Sequence, residues 1–443
     1  MFDRNLYSKI YSSTDLSKFL IDLENRYQIE DAQNKYHNLV NFSQNQVVPY
    51  HQWFRYREGF SAKLIHELIK MSNAKPGEAI IDPFCGSGTT NVVAAAEGYN
   101  TIGLDVNPMS AFITNAKIQY YSDDVLQQTL TIVDELDDFD EITVKRHYED
   151  IRKYFDENNF LALVRIKSFI DKMPEGPIKN LYNVAFLSCI EISSNRKRDG
   201  NGLKTVKTKI ENPLVLFKSK IGLIVSDIKA NRLNKVTGVG IYGSAFNLVS
   251  EYEKYCNSIV PGAIIFSPPY ANSFDYFESY KLELIFADFA IGMGGIAELR
   301  KKAVRSFIGG AKQEQCDKFV DIIANEIENA IPLKEAETGQ KDSRTRKVPN
   351  MLRGYFSDMR EVIRQCTNCL SSGKYTYIVV DQSAYLGKIV PTDLLLAYYG
   401  EKEGFKVAKI IDCRNARTST QQLNKYPYLK TALRESIVCL EKI

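Results

Sequence analysis

No run in the 443 residues is apolar for long enough to cross a bilayer. The opening residues, MFDRNLYSKIYSS, are polar and mixed in charge, so neither a secretory leader nor a membrane anchor is expected. An excess of one charge is also lacking: 57 Lys and Arg against 54 Asp and Glu leave +3. That excludes a chain-wide polycation, and any nucleic-acid surface has to come from local patches. Cysteine is sparse and scattered, at Cys85, Cys189, Cys256, Cys316, Cys366, Cys369, Cys413 and Cys439. Such scatter in a long chain argues against a disulfide framework and predicts reduced thiols in a cytoplasmic protein. The one CxxC, Cys366-Thr-Asn-Cys369, has no second pair and no neighbouring histidine. Zinc wants four ligands, so these two read as helix-face residues and no metal site is expected. Internal repeats and long low-complexity tracts are lacking as well.

What is present is the pattern of a large α/β chain. Its length exceeds what one core usually holds, so sizeable insertions or several domains are expected. The hydrophobic share of 44% and charged share of 25% are those of an ordinary globular protein. Residues 1–48 show helical spacing at Leu16, Phe19, Leu20 and Leu23 and read as an N-terminal helical arm. An amphipathic helix from Phe60 to Met71 leads through Lys75-Pro76-Gly77 to a short buried strand, Ala79-Ile80-Ile81-Asp82. A glycine-rich loop, a small-residue helix closed by Gly98 and a strand from Asn100 to Leu104, ending at Asp105, complete a βαβ unit.

From 120 to 235 helical periods replace this alternation, so the span is expected as a helical insertion. Strand signals resume at Val239–Tyr242, Ala263–Phe266 and Tyr375–Val380. Two further strands, Lys406–Cys413 and Glu435–Glu441, fit an antiparallel hairpin on an otherwise parallel sheet. Residues 291–348 are irregular and charged. The expected fold is therefore a mostly parallel, Rossmann-like sheet built from 49–119 and 236–443, interrupted by insertions at 120–235 and 291–348.

The loop Asp82-Pro83-Phe84-Cys85-Gly86-Ser87-Gly88-Thr89-Thr90 follows a strand and opens a helix. Glycines there let backbone approach a ligand at the carboxyl edge of the sheet, where ligands of such folds bind. Asp105 stands at the end of the next strand, where a carboxylate grips ribose hydroxyls. A phosphate cradle would need GxxxxGK[ST], and a dinucleotide loop GxGxxG; neither is present. The leading Asp82 suits a ligand carrying a positive amino group rather than a pyrophosphate. S-adenosylmethionine combines an ammonium, a sulfonium and a ribose.

DPFCGSGTT resembles motif I of the amino-methyltransferases, which methylate exocyclic nitrogens of bases, and Ser267-Pro268-Pro269-Tyr270 resembles their motif IV, [DNS]PP[YFW]. Arg57, Phe60 and Ser61 resemble motif X, and Gly243-Ser244-Ala245 resembles motif III, with serine where an acid is usual. The resemblance implies a class I methyltransferase sheet. It implies S-adenosylmethionine held by Asp82, Pro83, Phe84, Cys85, Gly86, Ser87, Gly88, Thr89, Thr90, Asp105, Ser244, Ala245, Phe60 and Ser61.

It implies, too, a catalytic set of Ser267, Pro268, Pro269 and Tyr270. The lone pair of an exocyclic amino nitrogen is delocalised into the ring. The Ser267 oxygen and the Pro268 carbonyl would accept its two hydrogens and draw the nitrogen toward tetrahedral. The prolines donate no N–H and fix φ, and Tyr270 offers a face on which a flipped-out base stacks. Methyl then passes directly from sulfonium to nitrogen, with positioning supplying much of the rate. Asn272, Phe274, Asp275 and Tyr276 lie just beyond, Asp275 either as a proton acceptor or as a helix N-cap. Carbon-5 chemistry is excluded, because it needs a cysteine beside the proline.

Within the family, serine at the first position leans toward N4 of cytosine, and aspartate or asparagine toward N6 of adenine. The two insertions read as target-recognition elements for double-stranded DNA. Phosphate contacts are expected from Arg196, Lys197, Arg198 and Lys204, with Lys207 and Lys209, in the first insertion, and from Arg344, Arg346 and Lys347 in the second. Arg414 and Arg417 open a loop, 414–428, that would also meet the backbone. The expected function is site-specific N4-cytosine methylation in a restriction–modification or related defence system. A restriction endonuclease or other defence subunit is the expected protein partner. An N6-adenine enzyme, an RNA base methyltransferase and a nucleic-acid-binding module without catalysis are the competing readings. The motif order X, I, IV assigns no permutation class.

Overall fold

The computed structural model describes residues 5–56, 59–199, 202–206, 212–256, 258–313 and 315–443. Arg57, Lys207 and Lys209 lie outside the described residues. The main sheet has eight strands: β1 (Ile29–Asp31), β2 (Ala79–Asp82), β3 (Asn100–Asp105), β4 (Gly238–Tyr242), β5 (Pro261–Phe266), β6 (Tyr375–Asp381), β7 (Phe405–Asn415) and β8 (Arg434–Lys442). The longer helices are α1 (Thr14–Arg26), α2 (Ala62–Met71), α3 (Thr89–Ala96), α4 (Pro108–Ile118), α5 (Asp123–Ile132), α6 (Glu157–Lys172), α7 (Pro177–Ile190), α8 (Pro213–Ala230), α9 (Leu248–Cys256), α10 (Gly292–Arg300), α11 (Lys318–Thr338), α12 (Val348–Cys369) and α13 (Thr392–Lys402).

In space the strands run β1-β7-β8-β6-β5-β2-β3-β4. Every pairing is parallel except those of β8, which is antiparallel to both β6 and β7. From β2 the chain winds outward through β3 to β4, then returns to β5 on the other side of β2. The strand order therefore reverses between β2 and β5, and a crevice opens at their carboxyl ends.

Alternation along the strands feeds both faces. Ile80, Ile265, Val379 and Ile437 pack with Leu64, Leu68 and Val93 of α2 and α3. Ile81, Ile264, Ile378 and Val438 pack with Leu352, Met359, Ile363 and Leu394 of α12 and α13 on the other side. Strands buried on both faces read as continuous apolar runs, which is why β2 and β5 were legible. Cys366 and Cys369 fall in the last turn of α12, the first buried and the second half-buried.

Three expectations need correction. Residues 5–48 are not an arm. Leu16, Leu20 and Leu23 are buried in the main core, β1 pairs in parallel with β7 (Ile29 opposite Ile410), and Glu24 is ion-paired with Arg434 of β8 at 2.9 Å. A three-residue strand, IED, is too short to show alternation. The span 291–348 is largely helical, in α10 and α11; glycines at 292–295 and Pro332 inside α11 disguise the period. Finally, α5 to α8 share one apolar core with Met109 and Ile113 of α4 and with Leu282 and Phe286, so 120–235 is packed onto the sheet domain rather than separate from it. No helix among the described residues is long and apolar enough to cross a membrane.

Candidate active site

The glycine loop is organised from beneath. Asp82 is 1% exposed and accepts from Phe84 N (2.9 Å) and Thr90 Oγ1 (2.7 Å), tying the loop's start to the first turn of α3. Burial raises its carboxyl to about 7. Gly88 opens α3 at φ +79°, where a Cβ would lie 2.8 Å from Thr114 Oγ1. Gly86, at φ +51°, has the Tyr56 ring 2.9 Å from where its Cβ would be. Only glycine suits both positions. The buried Lys117 donates to the Ser87 carbonyl at 2.8 Å, and burial lowers its amine to about 7. Cys85 N reaches Leu104 O of β3 at 2.9 Å, and Gly86 N reaches Asp105 Oδ2 at 3.0 Å.

Above this loop lies a mostly apolar chamber. Pro83, Phe84, Asp105, Ser244, Ala245 and Ser267 line it, and Tyr56 and Val106 close it. Asp105 accepts from Asn107 N (2.8 Å) as well as from Gly86 N, and burial raises its carboxyl to about 6. Tyr56 stacks on Tyr280, with ring centroids 5.2 Å apart.

Several of the residues expected at the cofactor also hold the scaffold. Asp82 has its oxygens committed below the loop. Cys85, Ser87, Thr89 and Thr90 are buried with it. Ser61 is fully buried and caps α2 by accepting from Leu64 N. Phe60 lines a second chamber, not this one.

That second chamber is polar. Its walls include Ser267, Tyr270, Asp381, Arg414, Arg417 and Glu435. Asp381 ends β6 and Glu435 stands opposite it on β8. Ser267 Oγ lies 3.2 Å from Tyr270 Oη, Tyr270 Oη lies 3.3 Å from Glu435 Oε1, and Arg414 Nε donates to Glu435 Oε2 at 2.5 Å. Burial, then the Glu435 charge, hold the Asp381 carboxyl well above the usual carboxylate range. Its Oδ1 is buried without a hydrogen-bond partner among the described residues. Ser267 and Tyr276 belong to both chambers. Asp275 is an N-cap, accepting from Glu278 N at 3.0 Å and paired with Arg300 at 2.7 Å.

The polar chamber opens into a cleft of about 800 Å³ that shares Asn272, Asp381 and Arg417 with it and extends to Arg344, Gln382 and Gln422. Of the basic residues expected on DNA, Arg344 and Arg417 are exposed in this cleft. Lys197 and Lys204 are exposed on a hairpin, Arg196–Asp199 with Gly202–Thr205, and Arg196 lies over the Tyr154 ring at 5.2 Å. Lys347 is exposed, and Arg346 is paired with Glu335 at 2.5 Å.

Two of these expectations fail. Arg198 is 5% exposed, bonded to Glu191 and Glu283 and set over Tyr280, so it pins the hairpin to the Tyr280–Tyr56 stack and has no face for a phosphate. Arg414 is turned inward onto Glu435 and lines the chamber. Charge in a sequence does not show which arginines have buried acids waiting for them.

Tyr56, Asp381 and Glu435 are the site residues that sequence reasoning missed. Asp381 carried a signal, because it ends the strand YTYIVVD as Asp105 ends β3. Glu435 and Tyr56 carried none; only tertiary pairing brings them here.

One reversed strand, β8, between β6 and β7, with the ligand crevice at the carboxyl ends of β2 and β5, defines a class I methyltransferase fold. A DNA methylase model of the N6/N4 type matches residues 7–115, which take in the glycine loop and Asp105. The chain is similar to the type II methyltransferase M.BsoBI of Geobacillus stearothermophilus, 26% identical over all of this chain and 95% of that one. It is 25% identical to M.AvaI of a Nostoc strain, over 93% and 91% of the two chains. Among solved structures, the rRNA methyltransferase AviRa of Streptomyces viridochromogenes aligns with 90% of the chain at 8% identity and a TM-score of 0.33, too weak a likeness to argue from. The match to the DNA methylase model and the similarity along the chain to type II methyltransferases support the amino-methyltransferase resemblance of its motifs.

Proposed function

We propose that the protein methylates N4 of cytosine in double-stranded DNA, with S-adenosylmethionine as donor, on a base turned out of the helix. Ser267 carries this reading: it is the wall shared by an apolar chamber holding a ribose-type carboxylate and a polar chamber of hydrogen-bonding groups. The apolar chamber suits an adenosine. Phe84, Val106 and Ala245 offer the purine apolar surface, and Asp105, with both oxygens held by backbone N–H groups, accepts from ribose hydroxyls. Bound there, S-adenosylmethionine supplies an electrophilic methyl group.

The protein's own part is to prepare the nucleophile. Ser267 Oγ and the Pro268 carbonyl accept the amino hydrogens and localise the nitrogen lone pair, Tyr270 stacks on the base, and burial excludes water. Serine at the head of the motif supports cytosine. The exposed Arg344 and Arg417 in the adjoining cleft suit a phosphate backbone, and Lys197 and Lys204 extend that surface. The relatives M.BsoBI and M.AvaI are type II methyltransferases, which supports a role beside a cognate restriction endonuclease.

The test is incubation of the whole protein with labelled S-adenosylmethionine and mixed DNA, followed by digestion to nucleosides and mass analysis. N4-methylated deoxycytidine is expected. N6-methylated deoxyadenosine would overturn the base, label in tRNA but not in DNA would overturn the polymer, and cofactor binding without any transfer would leave a binding module.

A further inference from the structure

We propose that Glu435, acting through Tyr270, fixes the direction of the Ser267 hydroxyl so that its oxygen faces the target amine as an acceptor. The inference rests on the reading of Ser267 as an amine acceptor given above. A serine hydroxyl both donates and accepts, whereas an amino group with a delocalised lone pair chiefly donates. Ser267 helps only if its own hydrogen is committed elsewhere. Otherwise two donors meet and the amine is not drawn toward tetrahedral.

The distances supply that commitment. An ionised carboxylate can only accept, so the single O–H of Tyr270, 3.3 Å from Glu435 Oε1, is drawn to Glu435. The lone pairs on Tyr270 Oη are then left to receive the Ser267 hydrogen from 3.2 Å away. The free lone pairs of Ser267 remain for the chamber, which it lines. Each link forces the next, and the polarity of the chain is set at its far end.

Burial raises the Glu435 carboxyl, and its cation partner opposes that rise. Arg414 Nε, a pure donor, sits 2.5 Å from Glu435 Oε2. The other charged groups facing Glu435 are Asp381, opposite it across the β6–β8 pairing, and Arg417 beyond the end of β7. Two carboxyls this close share a site in which one is readily held neutral. Asp381 has no bonded cation among the described residues and Glu435 has one, so the charge rests on Glu435. Glu435 is thus a positioning residue, two hydrogen bonds removed from the base. It lies on β8, more than 160 residues beyond the motif it serves.

Glu435→Gln tests this at nearly constant volume. Arg414 still demands an acceptor, so the amide oxygen turns to Arg414 and the NH₂ to Tyr270. That reverses the chain and points the Ser267 hydrogen at the amine. Tyr270→Phe breaks the link while leaving the Glu435–Arg414 pair intact, and so guards against misfolding of the first variant. The measurement is the single-turnover methylation rate at saturating DNA and cofactor, for each variant alone and combined with Ser267→Ala. Cofactor affinity is read in parallel by calorimetry. Each variant alone is expected to lose about 10- to 100-fold in rate, as the loss of one buried hydrogen bond implies, with cofactor affinity unchanged. Neither should add to the loss in the Ser267→Ala background. A loss carried over in full to that background, or a Tyr270→Phe enzyme as fast as the wild type, would overturn the inference. A Ser267→Ala enzyme with wild-type rate would overturn the acceptor reading itself, a result told apart because it appears before any second substitution is made.

Discussion

The two chambers that meet at Ser267 are made of different materials. The first is walled by Pro83, Phe84, Val106 and Ala245, with Asp105 as its principal charge; the second by Tyr270, Asp381, Arg414, Arg417 and Glu435. A ligand carried from reaction to reaction needs shape, apolar contact and one or two orienting bonds. A base edge must be read and activated by several polar groups, each satisfied and each aimed. On the function proposed above, the difference puts recognition and activation on the β6–β8 side of the sheet and donor binding on the β2–β4 side, with Ser267 at their boundary.

The most severe way to break this division is Ser267→Ala. A fall of about 100-fold or more in the single-turnover rate is expected, the size seen when one preorganised polar group is removed at a reacting centre. Calorimetric affinity for S-adenosylmethionine should hardly move; an equal loss of cofactor binding would show that the chambers are not separable. Asp105→Asn should act on the donor side only. Cofactor affinity should drop about 10- to 100-fold, for the loss of hydrogen bonds to an ionised acceptor, while the rate at saturation is kept.

Arg417→Ala addresses the other side. The apparent KM for DNA should rise a few-fold, and the slope of log affinity against log salt should shrink by about 1, as for one lost phosphate contact. Unchanged salt dependence would remove Arg417 from the DNA surface. The mildest effect concerns pH. Burial raises the Asp105 carboxyl to about 6, and ribose hydroxyls are best held by its ionised form. Cofactor affinity should therefore be full above that value and decline as pH falls through it, by up to about tenfold per unit for a single proton. Titration calorimetry from pH 5 to 8 checks the decline, and Asp105→Asn should flatten it.

Much of the donor side was legible from residues alone, because it is local. A strand, a glycine loop, a helix and the strand-ending Asp105 lie within about thirty residues of one another. The polar side was legible only where a short motif marked it. SPPY announces Ser267 and Tyr270, and Arg414 stood out as a charge, but its partner Glu435 arrives from a strand whose sequence shows nothing except burial. Arg198 makes the same point in reverse. It lies in a run of basic residues, and what decides its role is Glu283, reached only through the fold. The glycine loop between β2 and α3 stood out by its composition, whereas β1 and α11 escaped because a three-residue strand and a proline-bearing helix obscure their periods.

The placement of β8 bears on the order in which the molecule assembles. This strand lies inside the sheet, between β6 and β7, and its Arg434 holds Glu24 from α1 and Asp393 from α13. The segment of α1 and β1 is synthesised well before its partners: Phe19 stacks on Phe319 of α11, β1 pairs with β7, and Glu24 is held by Arg434. That segment must therefore wait, its apolar stripe uncovered, until those later segments have been made. Closure of so long a loop is slow and exposes the nascent chain to off-pathway association. Yield in a foreign host should thus respond to growth temperature and chaperone supply.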